Sequence, residues 1–264
     1  MDSIIKYFKK IYELRYFLWH LVKLDLKNKY RRSKLGILWT IVYPLGLSII
    51  MGIVFSIAFN YNIISYMPYV LSGILFWDLV SGAFSGGAYS LLGNDSFIRQ
   101  CNHPLTIYTL KSSVVTIINF SIAIISLAIW IIVQNPMNML IGLFSLIITL
   151  IIYFIFVWAG TTIAGYMCVK YRDYPMMVPL ILQVIWYVSP VFFQENLFKS
   201  NEFIYTWFKW NPITHMLNLL REPFLNGRLP TVEDYLISLF FVLCFAILAY
   251  KVNKNNEKDL IFYL

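Results

Sequence analysis

Charge is what this sequence has least of. Only 13% of its 264 residues are Asp, Glu, Lys or Arg and 59% are hydrophobic, against about 25% charged and roughly 45 to 50% apolar in an ordinary soluble domain. The shortage is also concentrated, because no charged residue occurs over 35–77, 79–94, 112–169 or 235–250. Each run approaches or exceeds the roughly 20 helical residues that a hydrocarbon core of about 30 Å requires. A water-soluble fold is excluded. An all-α integral membrane protein that crosses the bilayer several times is predicted.

Other absences narrow the chemistry. The three cysteines, Cys101, Cys168 and Cys244, are far apart and lack the spacing of metal ligands or of a disulfide framework. They read as packing residues or as thiols on the reducing side. No G-x-x-x-x-G-K-[ST] loop is present and the dipeptide Gly-Lys never occurs, so the chain has no phosphate-binding loop with which to hydrolyse ATP alone. Neither H-E-x-x-H nor G-x-S-x-G occurs, and His20, His103 and His215 fall in three separate segments. Carboxylates, which ion-driven carriers keep within their spans, reduce to Asp78. No cofactor is expected on this chain.

What is present is a basic N-terminal region. The net charge of +8 arises unevenly, with ten of the twenty-one basic residues between Lys6 and Lys34, which marks membrane orientation rather than nucleic-acid binding. Lys6, Lys9, Lys10, Glu13 and Arg15 interrupt the N-terminus before any run long enough for a cleavable signal. Residues 3–28 mix apolar and charged positions near the helical period, predicting an amphipathic helix in the interface. Six spans follow, at 35–59, 67–92, 112–133, 139–169, 174–193 and 235–250. Pro44 is tolerated in the first, and Pro175, Pro179 and Pro190 should bend the fifth. Gly73, Gly82, Gly86 and Gly87 in the second should allow close helix contact. Residues 195–228 read as short helices dipping into the interface.

Orientation follows from counting bases. With the N-terminus inside, ten precede the first span, Arg99 with Lys111 and Lys170 with Arg172 lie in inner loops, and three lie in the tail; only Lys199, Lys209, Arg221 and Arg228 lie outside. The positive-inside rule therefore predicts cytoplasmic N- and C-termini.

The stretch Tyr30-Arg31-Arg32-Ser33-Lys34-Leu35-Gly36-Ile37-Leu38-Trp39, followed by Tyr43-Pro44, resembles the approach to the first span in ABC-2 type permeases. Those permeases export O-antigen, capsular polysaccharide and teichoic acid. The resemblance continues through Gly73, Trp77, Asn94, Phe97-Ile98-Arg99, His103-Pro104, Arg172-Asp173, Gln183, Ser189-Pro190-Val191, Asn211-Pro212 and Arg221. Asp78 departs from it, since relatives carry an uncharged polar residue there more often. The resemblance implies a homodimer of six-span subunits in the bacterial cytoplasmic (inner) membrane, enclosing a channel for polyprenyl-pyrophosphate-linked polysaccharide. Two copies of a separate nucleotide-binding ATPase subunit, which holds the ATP and Mg, would drive it. Membrane lipid is the remaining expected partner, and nucleic acid is not one.

Site expectations follow. Tyr30, Arg31, Arg32 and Lys34 would receive the pyrophosphate, since arginine's fork suits phosphate oxygens; plain anchoring on anionic headgroups is the alternative. Tyr43, Phe59, Tyr61, Tyr66 and Tyr69, read as lying near the outer turn, would offer ring faces to sugars or form an interfacial belt. Asp78, placed in the outer half of the second span, would face a lumen or a subunit interface, or act in passage. Asn94, Asp95 and Ser96 should cap a short helix within 94–104, with Phe97, Ile98 and Arg99 as the ATPase contact. An ordinary inner loop is the bland alternative. By resemblance, Trp207, Trp210, Asn211, Pro212 and Arg221 belong to a pair of short re-entrant helices that gate the outer mouth. Rival functions are an ABC-2 exporter of drugs or small lipids and a membrane-embedded transferase, the latter needing carboxylates or histidines clustered at one membrane face.

Overall fold

The computed structural model describes residues 9–31, 33–101, 103–194, 201–256 and 260. Among them every regular element is helical. Helix α1 spans Arg15–Tyr30, and a 3-10 turn at Gly36–Leu38 leads into α2, Trp39–Phe59. Helix α3, Ile63–Ser81, continues through a π turn at Gly82–Gly86 into α4, Gly87–Leu92. Short α5, Asp95–Gln100, precedes the long pair α6, Thr106–Gln134, and α7, Pro136–Lys170. Then come α8, Tyr174–Val188, α9, Glu202–Trp210, α10, Pro212–Arg221, and α11, Val232–Asn256.

Local chemistry sets the ends. Asn60 takes the left-handed conformation (φ 54°) that closes α2, which Asn tolerates better than most side chains. Asn62 then caps α3, its Oδ1 accepting from the Ile64 amide at 2.9 Å. Pro136 opens α7, where a missing N–H costs nothing.

Five stretches are long and apolar enough to cross a membrane: Gly36–Phe59, Ile63–Leu92, Thr106–Gln134, Pro136–Lys170 and Val232–Asn256. The predicted fifth span, 174–193, is not one continuous helix. Helix α8 has 15 residues, about 22 Å at 1.5 Å per residue, short of a core of about 30 Å. It stops because Ser189 is extended (φ −110°, ψ 151°), as a residue preceding proline tends to be. The predicted interfacial helix is described from residue 9 and the predicted outer segment from residue 201; their remaining parts lie outside the described residues.

The spans differ in how deeply they sit. Helix α3 is the central one, with 72% of its most apolar window buried against 17% for α11. Leu75, Phe76 and Leu79 of α3 meet Phe120 of α6, Tyr153 and Phe156 of α7, Leu220 of α10 and Val242 of α11. Gly87 lets α4 approach α7 closely, for a Cβ there would lie 2.8 Å from the Thr161 Cα. Gly86 faces open space and serves no such contact, contrary to expectation.

Cysteine exposure yields a topology test. Cys101 is half-buried after α5, Cys168 is buried, and Cys244 is exposed on the apolar flank of α11. From the charge asymmetry, an impermeant maleimide should label none of them in intact cells, and Cys101 alone once the membrane is permeabilised. Labelling of Cys101 in intact cells would reverse the orientation.

Candidate functional site

At the basic end, α1, α2, α3 and α6 enclose an open cleft of about 580 Å³. Its polar lining includes Lys29, Tyr30, Thr40, Tyr43, Asp78 and Asn119. The Tyr30 hydroxyl lies 2.7 Å from both Asn119 Oδ1 and Thr40 Oγ1. Since a hydroxyl has one proton and Asn119 Oδ1 can only accept, Tyr30 donates to Asn119 and accepts from Thr40. Thus the end of α1 is fastened to α2 and α6.

Two expected positions change here. Asp78 sits near the end of α3, midway along the Ile63–Leu92 span, with its side chain exposed to the cleft that Lys29 and Tyr30 also line, rather than lying toward the Asn60 end. Tyr43 also lines the cleft, about 24 Å from Phe59 by helical rise, and is not an outer-turn residue. Arg31 and Lys34 are exposed and do not line the cleft, and among the described residues Lys29 is the base in its lining. Arg32 lies outside the described residues.

The opposite end holds a different construction. After α8 unwinds, six consecutive carbonyls have no helical partner, and each finds another donor. Val188 accepts from Trp207 Nε1 at 3.3 Å, and Ser189 from the Val191 amide at 2.7 Å. Pro190 accepts from Arg221 Nη1 at 2.7 Å and, at 3.1 Å, shares the single Tyr69 Oη proton with Phe193. Val191 accepts from Arg221 Nη2 at 2.8 Å, Phe192 from Tyr66 Oη at 2.7 Å, and Phe193 from Tyr69 Oη at 2.9 Å. Irregular backbone within an apolar protein survives only with such accounting. The buried Arg221 guanidinium also donates to Ser72 Oγ at 3.2 Å and lies 3.7 Å above the Tyr69 ring centroid.

The lock gathers residues read separately in the sequence. Gly73 is required because a Cβ there would stand 2.5 Å from the Val191 carbonyl. Asn211 caps α10 through the Ile213 amide at 3.0 Å, and its Nδ2 donates to Ser189 Oγ at 3.3 Å. Pro212 begins α10. Tyr66 is fully buried, and it and Tyr69, two of the four tyrosines expected at sugars, have hydroxyls engaged on backbone. Phe59 packs on Phe193 at 5.8 Å between ring centroids and Tyr61 on Tyr66 at 4.9 Å, whereas Trp210 is exposed.

Beside it lies a network that the sequence did not single out. His215 Nδ1 is 2.8 Å from Asp234 Oδ1 and its Nε2 is 2.9 Å from the Lys209 carbonyl. Asp234 also accepts from Asn218 Nδ2 at 3.1 Å and Thr231 Oγ1 at 2.6 Å. The pair joins α10 to the foot of α11. Its sequence signal was His215 and Asn218 one turn apart, facing an acid at the start of a span.

Helix α5 forms the third locus, at the basic end. Phe97 is exposed, whereas Ile98 is buried with Leu21, Leu91, Tyr108 and Tyr166, so the expected two-residue knob reduces to Phe97. Arg99 pairs with Asp95 at 2.7 Å on the surface, a contact worth little stability. Asn94 occupies the N-cap but its side chain does not cap α5. Instead its Nδ2 donates to the Ser90 carbonyl at 2.7 Å and its Oδ1 accepts from Lys111 Nζ at 3.0 Å.

With this geometry in view, similarity to known proteins becomes informative. The profile of the ABC-2 type transporter family matches residues 16–225. An O-antigen export system permease protein RfbA of Klebsiella pneumoniae is 23% identical over 218 residues, 82% of each chain. RfbA of Myxococcus xanthus is 23% identical over 240 residues, 87% of this chain and 88% of its own. The match takes in α1, the cleft, α5 and the Arg221 lock, and the chain belongs to the ABC-2 type transporter family as a membrane-embedded transport subunit.

Proposed function

We propose that this chain is the channel-forming permease subunit of an ATP-driven exporter that moves lipid-linked, O-antigen-like polysaccharide across the bacterial cytoplasmic membrane. Two copies of the chain enclose the path, and a separate ATPase subunit docks at the basic end, which faces the cytoplasm. The observation that carries this reading is the cleft. It gathers two carboxylates, Asp25 and Asp78, an ammonium and several hydroxyls against the membrane-spanning bundle, with the exposed Arg31 and Lys34 one and four residues beyond Tyr30 in the chain. A polyprenyl pyrophosphate entering from that side would leave its phosphates on the bases. The first sugar would then meet Asp78, Tyr30 and Asn119, where hydroxyls can donate and accept. The Arg221 lock supports the same reading, because it holds the unwound 189–193 segment where a channel needs a shaped, non-helical wall.

Deleting the gene should abolish surface polysaccharide while its lipid-linked precursor accumulates inside, and the wild-type gene should restore export. Unchanged surface glycan in the deletion strain contradicts the proposal. Replacing Arg31 and Arg32 together by Gln should lower export several-fold with insertion intact, and Lys at both positions should restore it in part, since a point charge lacks the bidentate fork. Full export by the Gln variant would assign the pair to membrane anchoring.

A further inference from the structure

Lys111 is the only charged residue between Arg99 and Lys170. Topology alone would let its long stem carry the ammonium out to headgroups. The structure does the opposite. Its side chain is 7% exposed, and Nζ lies 2.7 Å from Asp25 Oδ2 on α1 and 3.0 Å from Asn94 Oδ1 at the start of α5. Asn94 is itself tied to the end of α4 through the Ser90 carbonyl. Burying an ammonium costs several kcal/mol unless it is paired and hydrogen-bonded, so this placement joins three elements at one point.

Packing reinforces the junction. Leu21 of α1, Ile98 of α5 and Leu105 with Tyr108 form one buried cluster. Phe17 of α1 touches both Phe97 and His103, at 6.4 and 5.0 Å between ring centroids. Further along, the same α1 ends in Tyr30, hydrogen-bonded to Thr40 and Asn119, and Asp25 and Tyr30 both line the cleft. Displacing α5 therefore cannot leave α1 behind without breaking the Lys111 contacts.

We infer that Lys111 is a positioning residue that binds α5 and α1 into one rigid unit, so that a partner's push on α5 is delivered by α1 to the mouth of the cleft. The rigid unit stands on the geometry above; its use in transport rests on the proposed function. Charge counting treats Lys111 as one more inner base, which is why the sequence did not reveal it.

Amide hydrogen exchange on the purified permease, without any partner, separates the two. In Lys111→Met and in Asp25→Asn, amides of both α1 and α5 should exchange about tenfold faster or more, with those of α7 unchanged. The double variant should be no worse than either single one, because both remove the same interaction. Asp25→Glu, which keeps the carboxylate on a side chain 42% exposed, should retain most of the protection. Acceleration confined to the helix carrying the substitution, or none, overturns the inference. With an ATPase present, Lys111→Met should still retain it on purification yet export several-fold less polymer per ATP; normal export per ATP would remove the coupling role. Absence of any ATPase from the wild-type preparation would count against the proposed function, and the exchange result would stand independently.

Discussion

Replacing Arg221 by Met should destabilise the protein by about 3 to 5 kcal/mol and abolish transport. Methionine fills most of the volume but donates nothing. The Val191 and Pro190 carbonyls and the Ser72 hydroxyl each lose a donor, and Pro190 is left sharing the single Tyr69 proton with Phe193. Each buried polar group left unsatisfied costs about 1 to 3 kcal/mol. Lysine should rescue poorly, because its three donors radiate from one atom and do not reproduce the planar fork across two successive carbonyls and a serine. The measurement is the denaturant-unfolding midpoint in detergent micelles, with surface glycan scored in cells. Gly73→Ala should give a smaller loss at the same place, since the Val191 carbonyl must retreat from a Cβ otherwise 2.5 Å away. A fully stable, active Arg221→Met variant would mean that the unwound segment holds itself.

The second large effect is expected at α5. Phe97→Ala combined with Arg99→Glu should weaken ATPase retention by about 2 kcal/mol or more, roughly thirtyfold, while insertion is preserved. On the proposed docking at α5 the exposed Phe97 ring would be the anchor, and reversing Arg99 would set two carboxylates one turn apart there. Ile98→Ala provides the contrast. Ile98 is 6% exposed within the cluster of Leu21, Leu91 and Tyr108, so its truncation should cost about 2 to 4 kcal/mol of stability through a cavity. Normal ATPase retention and export by the Phe97/Arg99 variant would move the docking surface elsewhere, with the exposed face of α1 the next candidate.

How much of this was legible in the sequence depends on whether the cause was local. Apolar runs flanked by Asn60, Asn62 and Pro136 announced membrane helices and their turns, because capping and proline act within a few residues. The end of α8 was less visible. Residues 174–193 are apolar throughout, and hydropathy does not distinguish a helix from an unwound strand whose carbonyls are satisfied from afar. Those satisfying donors, Tyr66, Tyr69, Trp207 and Arg221, lie up to 126 residues from their acceptors, so their common task emerges only in three dimensions. Resemblance marks Trp207 and Arg221, but as gate residues, and position near the outer turn marks Tyr66 and Tyr69, but as sugar contacts.

The place of Tyr43, by contrast, is legible in the sequence. Sixteen residues of helix separate it from Phe59, and the rise of about 1.5 Å per residue puts the two near opposite ends of one span. Asn94 shows the reverse case. Its cap position was identifiable, but a distant lysine competes for its side-chain oxygen and wins, because a buried ammonium needs that acceptor more than an exposed helix end does. His215 with Asp234 likewise required the fold, since the two lie nineteen positions apart across helix and loop.

The central claim is that this chain forms an ATP-driven path for lipid-linked polysaccharide. Its most direct test is transport by the permease and its ATPase, purified together and reconstituted into proteoliposomes with the ATPase side exposed. Polyprenyl-pyrophosphate-linked glycan from the same cells is supplied on that side, and ATP-dependent appearance of glycan in the lumen is measured. Glycan transfer should stop when ATP is withheld and fall several-fold with Arg31 and Arg32 replaced by Gln. ATP hydrolysis that is stimulated by apolar drugs or short lipids but not by the glycan, with no glycan reaching the lumen, would contradict it.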